Sequence, residues 1–206
     1  MSITSQKPAT IAVWGGEEKP LAFGAAQVPI VQSAPFAYED MDEWAAVALG
    51  QAEGYIYSRN TNPTVGVFEE KCRILEGGEK AIAFASGMAA ISNTLLSLLS
   101  PGDRVVSIKD SYGGTSRLFM DTLPRMQIEV DLVETSDADA IDAAIAKGCK
   151  LVYLETPTNP TLKIIDLDRA IAAAKAQGAI TVVDNTFATP INQRPLELGA
   201  DLVVHS

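Results

Sequence analysis

One histidine and two cysteines are all the imidazole and thiol chemistry in this chain of 206 residues. His205 alone excludes a His-rich metal site, which draws several such ligands to one ion. Cys72 and Cys149 form no C-x-x-C pair and build no disulfide framework, and free cysteines of this kind ordinarily behave as buried or idle thiols. The opening stretch MSITSQKPATIAVWGG lacks the continuous apolar run of an export signal. Together these features point to a reducing, cytoplasmic compartment. No stretch approaches the ~20 consecutive apolar residues of a membrane span. Basic residues are also scarce, 16 against 26 acidic ones, for a net charge of −10. That balance argues against nucleic-acid or membrane partners, which need basic patches, but leaves room for a small anion held by local donors. Three glycine signatures are missing as well: G-x-G-x-x-G, G-x-x-x-x-G-K-[ST] and G-x-S-x-G. Their absence speaks against a Rossmann-like oxidoreductase, a P-loop nucleotide site and a serine-hydrolase elbow.

What is present is an apolar chain, 47% hydrophobic and 20% charged. It suits one globular domain with a substantial core, together with an arm or a partial second domain. Residues 1–60 read as irregular, broken at Gly15-Gly16, Lys19-Pro20 and Val28-Pro29, with one short helix in DMDEWAAVALGQ. Such a segment makes no core of its own, and an arm laid on another subunit is one solution. From residue 61 the pattern becomes regular. TVGVFEEKCRILEGG reads as a helix closing at Gly77-Gly78, and AIAFAS as a strand leading into the helix GMAAISNTLLSLLS. The strands RVVSI, IEVDLVE, KLVYLE, AITVVD and DLVVHS follow. Helices are expected within YGGTSRLFMDTL, in DADAIDAAIAKG, in DLDRAIAAAKAQG (capped by Asp166, stopped by Gly178) and, briefly, in RPLELG. Six nearly continuous apolar strands alternating with helices describe an α/β fold, a mostly parallel sheet covered on both faces.

These strands turn polar at Ser86, Lys109-Asp110, Glu155, Asp184-Asn185 and His205-Ser206. Open α/β sheets bind ligands outside the carboxyl ends of their strands, although strand ends are also polar simply because loops are wet. Each candidate has two readings. Ser86-Gly87-Met88 begins a helix, where unpaired N–H groups suit a phosphate or merely an ordinary cap. Asp184 ends an apolar strand, where burial calls for a cationic partner such as a protonated pyridine nitrogen or for a turn capped with Asn185 and Thr186. Tyr112 either stacks on a flat ring or packs as a half-buried loop residue. Tyr57 and Arg59, two residues apart on one side of an extended segment, suit a phosphate clamp or a solvated arginine beside a packed tyrosine.

Six ordered motifs bear on these alternatives: YSRNTNPT, FASGMAAI, SYGGTSRLF, YLETPTNPTL, VVDNTFATP and PLELGADLVVHS. Through them the chain, from about Ala9 to Ser206, resembles the Cys/Met-metabolism enzymes dependent on pyridoxal phosphate. That group includes cystathionine γ-synthase, cystathionine γ-lyase, methionine γ-lyase and O-acylhomoserine sulfhydrylase. The resemblance implies the type I, aspartate aminotransferase-like fold, with residues 61–206 forming part of the large cofactor-binding domain. It implies that Ser86, the backbone of Gly87 and Met88, and the Ser206 hydroxyl hold the phosphate. Tyr112 would stack on the ring, Asp184 would pair with its nitrogen, and Asn159 would lie near its phenolic oxygen. Tyr112 and Asp184 would take part in catalysis. Tyr57 and Arg59 would reach the cofactor of a neighbouring subunit, which makes residues 1–60 an intersubunit arm and the protein a homodimer or homotetramer with shared sites.

The resemblance also implies a Schiff-base lysine a few residues beyond Ser206 and a C-terminal part carrying a substrate-carboxylate arginine. Neither is in this sequence, so a noncatalytic fragment stands as a rival reading of the chain. The expected reaction on an amino-acid substrate is γ-elimination or γ-replacement on sulfur amino acids or O-acylhomoserine. Methionine γ-lyases usually carry cysteine after the Tyr-Gly pair, where this chain has Gly114. That favours cystathionine γ-synthase or γ-lyase-like chemistry, with the sulfhydrylase next.

Overall fold

Five parallel strands organise the computed structural model, which describes residues 3–17 and 21–206. The Lys19-Pro20 break therefore lies outside the described residues. The chain divides into two compact units, Met1–Ala83 and Phe84–Ser206.

The second unit holds the sheet. Its strands are β1 (Arg104–Ile108), β2 (Glu129–Val133), β3 (Leu151–Glu155), β4 (Ile180–Asp184) and β5 (Leu202–Val204), in the order β2-β1-β3-β4-β5. Every residue of β3 is buried, as expected of a central strand in a sheet covered on both faces. Alternation sorts the side chains. Val106, Ile108, Val152, Leu154 and Val183 join one core with α7 (Ala138–Ala146) and α8 (Leu167–Ala176). Val105, Leu151, Tyr153, Val182 and Val204 join another, with α4 (Gly87–Leu98) and the segment that holds Phe119 and Leu123. That segment runs from α5 (Gly113–Arg117) through a π-helical turn, Leu118–Thr122, into α6 (Leu123–Arg125). Each large apolar side chain buried this way contributes roughly 1.5–3 kcal/mol, an upper figure because unfolded chains are already partly compact.

Local signals set the helix ends. Ile91, Leu95 and Leu99 give α4 its buried face. Asp137 and Asp166 accept from Ala140 N and Arg169 N at the starts of α7 and α8. The chain turns out of α8 at Gly178, at φ +67°.

Two expectations are corrected here. Residues 81–86 form no strand, because a strand needs a neighbour's ladder bonds and none of the described strands pairs with them. Ile82 and Phe84 are exposed accordingly. RPLELG makes no α-helix either. Glu197, Leu198 and Gly199 each bond the carbonyl three residues back, and Gly199, at φ +96°, diverts the chain before a second turn forms.

The first unit is helical. It contains α1 (Pro8–Trp14), α2 (Met41–Ala48) and α3 (Pro63–Glu76). Asn62 caps α3 by accepting from Thr64 N and Val65 N, Pro63 opens it, and Gly77 closes it in the left-handed region. Helix α1 lies in a stretch expected to be irregular. It is anchored by buried Ile11 and by Lys71, which donates to Val13 O at 2.7 Å and to Glu17 at 2.6 Å.

Candidate active site

Strands β3 and β4 run in register so that Glu155 and Asp184 are direct partners at the carboxyl end of the sheet. Counting back by two along each strand reaches Tyr153 and Val182, both in the α4-side core. The two carboxylates therefore belong to the face that α4 covers.

Asp184 is 5% exposed. Its Oδ1 accepts from Thr186 N at 3.0 Å and from Thr186 Oγ1 at 2.6 Å. Its Oδ2 accepts from the Tyr153 hydroxyl at 3.1 Å. The turn-capping reading is thus realised through Thr186, whereas the Asn185 amide donates to Gln193 O. The cation-pairing reading survives beside it. Three donors leave spare acceptor capacity on a carboxylate, which offers roughly four lone-pair sites, and among the described residues no Lys or Arg forms an ion pair with it. Tyr153 is fully buried. Burial pushes its phenol well above its ordinary range, and the charges of Asp184 and Glu155 add to the rise, so it remains a donor to Asp184 at neutral pH. The Thr186 hydroxyl in turn accepts from Ser206 N at 3.0 Å. Its single proton is then directed to Asp184, and one side chain ties the carboxylate to the Ser206 backbone.

At the start of α4, Ser86 Oγ accepts from Ala89 N at 3.1 Å, and Ala90 N bonds Ser86 O. The N–H groups of Gly87 and Met88 are left without an intrahelical acceptor, and the Ser86 hydroxyl keeps its proton for an outside acceptor. Gly87 is buried. A Cβ there would run into the Ser206 side chain and come within 2.8 Å of Ser206 Cα. Only glycine lets Ser206, two residues past β5, come this close to the helix start.

Tyr112 is 47% exposed, while its backbone N–H is fixed to Glu155 Oε2 at 2.8 Å. Asn159 N donates to the other oxygen, Glu155 Oε1, at 2.8 Å. Burial raises the Glu155 carboxyl above its ordinary range, the two N–H groups pull it back, and negative Asp184 pushes it up again. Beside Tyr112, a Cβ on Gly114 would lie 2.7 Å from Met88 Sδ and 2.9 Å from Tyr112 Cε1. The glycine allows the ring and the thioether to close over that spot. Ser86, Gly87, Met88, Tyr112, Asn159, Asp184 and Ser206 thus all belong to the second unit, at the carboxyl-end rim of its sheet or the start of α4.

Tyr57 and Arg59 belong to the first unit. Tyr57 forms an antiparallel bridge with Pro35, but Arg59 lies in a turn closed by Asn60 N and Thr61 N on Tyr57 O. The extended geometry expected for the pair is therefore corrected. The turn carries the Arg59 guanidinium over the Tyr57 ring, 4.7 Å from its centroid.

Sequence reasoning passed over Tyr153, and read Glu155 only as a strand end and Thr186 only as a turn cap for Asp184. A strand alternation puts Tyr153 on the same face as Glu155. A threonine two residues after a strand-end aspartate is the spacing for a hydroxyl and an N–H on one carboxylate.

The comparisons with known proteins follow the same path. Residues 9–206 match the family described as Cys/Met metabolism PLP-dependent enzyme. An L-methionine gamma-lyase of Fusobacterium nucleatum subsp. polymorphum is 45% identical over 198 residues, covering 96% of this chain and 50% of that protein. A cystathionine beta-lyase of Lactococcus lactis is 44% identical, covering 96% and 50%; this activity was not among those the motifs suggested. Among solved structures, cystathionine gamma synthase of Xanthomonas oryzae in complex with aminoacrylate and cysteine has a TM-score of 0.88 at 40% identity, covering 98% of this chain and 50% of that one. A putative O-acetylhomoserine (thiol)-lyase of Campylobacter jejuni, crystallised with N'-Pyridoxyl-Lysine-5'-Monophosphate, has a TM-score of 0.91 at 34% identity, covering 98% and 50%. The chain spans about half the length of the curated relatives it matches. Since the match runs unbroken from Ala9 to Ser206 and the relatives agree across it, the chain belongs to the Cys/Met metabolism PLP-dependent enzyme family.

Proposed function

We propose that the full-length protein catalyses γ-elimination or γ-replacement on sulfur amino acids or O-acylhomoserine, with cystathionine γ-synthase or γ-lyase-like chemistry preferred. The observation that carries the reading is Asp184: a buried carboxylate with acceptor capacity to spare, on the face of the sheet covered by a helix whose first N–H groups are open. Bound pyridoxal phosphate would supply an electron sink for the substrate's α-carbon. Asp184 would keep the ring nitrogen protonated. The N–H groups of Gly87 and Met88 and the hydroxyls of Ser86 and Ser206 would hold the phosphate, and Asn159 would face the ring's phenolic oxygen. Tyr112, half-exposed at the rim, would stack on the ring and exchange a proton with the substrate. Tyr57 and Arg59 would clamp the phosphate of a neighbouring subunit.

A lyase reading is favoured by the relatives at 44–45% identity, named L-methionine gamma-lyase and cystathionine beta-lyase. Product analysis separates the cases. Full-length protein loaded with pyridoxal phosphate is incubated with an O-acylhomoserine plus cysteine, with cystathionine, and with methionine. Cystathionine formed from the first mixture, or cysteine and 2-oxobutanoate released from cystathionine, is the expected result. Homocysteine and pyruvate from cystathionine would assign β-cleavage instead. Protein that stays colourless with the cofactor would sink the reading.

The shared site has its own test. Arg59→Ala and Asp184→Ala chains are each expected to have low activity as pure assemblies. In mixed dimers the Arg59→Ala chain keeps its own Asp184 and receives Arg59 from its neighbour, so one intact site and measurable turnover return. Confirmed mixed assemblies with no recovered activity would remove the arm from the partner's site.

A further inference from the structure

Glu155 has no place in the chemistry just described, yet it is the most enclosed charge on the rim besides Asp184, at 5% exposure. It ends the central strand, and its two oxygens go to two different loops: Oε2 to Tyr112 N and Oε1 to Asn159 N, both at 2.8 Å. We propose that Glu155 is a positioning residue whose carboxylate locks the Tyr112 loop to the Asn159 loop and so fixes the stance of the tyrosine ring over the cofactor site. This rests on the reading of Tyr112 and Asn159 given above.

The side-chain chemistry explains why a carboxylate occupies this place. Two N–H donors arriving from opposite loops need two acceptor atoms on one rigid plane. Ionised Glu offers two, whereas Gln offers one acceptor and an NH2 group that would face the second donor. An apolar residue would leave both amides unsatisfied. A buried negative charge beside Asp184 is unfavourable by itself, and the two N–H bonds offset that. The loops have a second connection nearer solvent, where Asp110 accepts from Lys163 Nζ at 2.8 Å and from Thr161 Oγ1 at 3.2 Å. Losing Glu155 therefore loosens the inner ends of the loops without detaching them. That makes the site imprecise rather than unfolded.

The test uses the full-length holoenzyme and its apo form, with Glu155→Gln and Glu155→Asp. Three results are expected for Glu155→Gln. Hydrogen–deuterium exchange should accelerate in the peptides containing Tyr112 and Asn159 while the β1, β3 and β4 peptides stay protected. The visible circular dichroism of the bound cofactor should change. Finally, kcat should fall about 10- to 100-fold, as for a small misplacement of a reacting group, with KM much less affected. Glu155→Asp, which keeps both acceptors, should recover part of each. Exchange unchanged in Glu155→Gln, or kcat unchanged despite faster exchange, overturns the proposal. If Glu155→Gln does not fold, the same readouts on Glu155→Asp decide it, since a side chain one methylene shorter must disturb at least one of the two bonds. Wild-type protein that binds no cofactor would defeat the functional reading, and exchange in the apo form would then judge the loop lock by itself.

Discussion

Asp184→Ala in the full-length protein is expected to lower kcat by about 10- to 1,000-fold while some cofactor remains bound. An opposite charge a few ångströms away raises the pKa of a cation by about 1–3 units, and each unit is worth about 1.4 kcal/mol, a factor of ten. An Asp184 carboxylate beside the ring nitrogen would keep that nitrogen protonated, and its loss would weaken the electron sink that the cofactor supplies. The loss falls on kcat more than on retention, because the phosphate would be held elsewhere, at the start of α4. Steady-state kinetics and the pH dependence of the cofactor's visible absorption measure the two effects separately, and near wild-type kcat would remove Asp184 from the role. One correction is needed. The substitution strands the Tyr153 hydroxyl, which is fully buried and bonded to Asp184, at a cost of about 1–3 kcal/mol in stability. Asp184→Ala combined with Tyr153→Phe takes away that orphan and isolates the electronic effect.

Gly87→Val should act on retention instead. Its Cβ would occupy space already filled by Ser206, with Ser206 Cα 2.8 Å away. Backbone cannot rotate aside as a flexible side chain does, so the start of α4 and the end of β5 must separate. Both carry proposed phosphate donors. Losing one or two charge-assisted hydrogen bonds, each worth about 1.5–3 kcal/mol, weakens cofactor binding by roughly 10- to 20,000-fold. Titration of the apoprotein with pyridoxal phosphate measures it. Gly113→Ala is the control: a Cβ there meets nothing within 4 Å, and binding should be unchanged. Equal affinity in Gly87→Val and wild type would mean that the phosphate sits elsewhere.

Both substitutions were nameable from sequence, and the reason is physical. A strand buried on both faces reads as an unbroken apolar run, so the residue where polarity returns is also the residue at the rim. Asp184 and Ser206 stood out for that reason, whereas Ser86 was marked by an apolar run that forms no strand. Capping works within four residues, so Asp166 and Gly77 were legible too. What escaped depends on partners distant in the chain. Residues 81–86 have a strand's composition, but no described strand pairs with them. Pro8 opens a helix whose stability comes from packing against α3, more than 50 residues away. Arg59 was placed on an extended segment because the turn at residues 58–60 carries neither glycine nor proline. Glu155 and Tyr153 were hidden differently: their spacing was visible, but the Tyr112 loop and the aspartate they bind come from other strands, β1 and β4.

The sorting of strand side chains has one more result. On the side packed by α7 and α8, the strands bring Val106, Ile108, Val152, Leu154 and Val183 to the core, Arg104 donates to Ala144 O of α7, and Arg169 staples the two helices through Asp139 and Asp142. Glu155 and Asp184 turn the other way. The molecule therefore has a back wall and a bench: evolution or an engineer can refit the wall to tune robustness, while the workplace opposite keeps its tools.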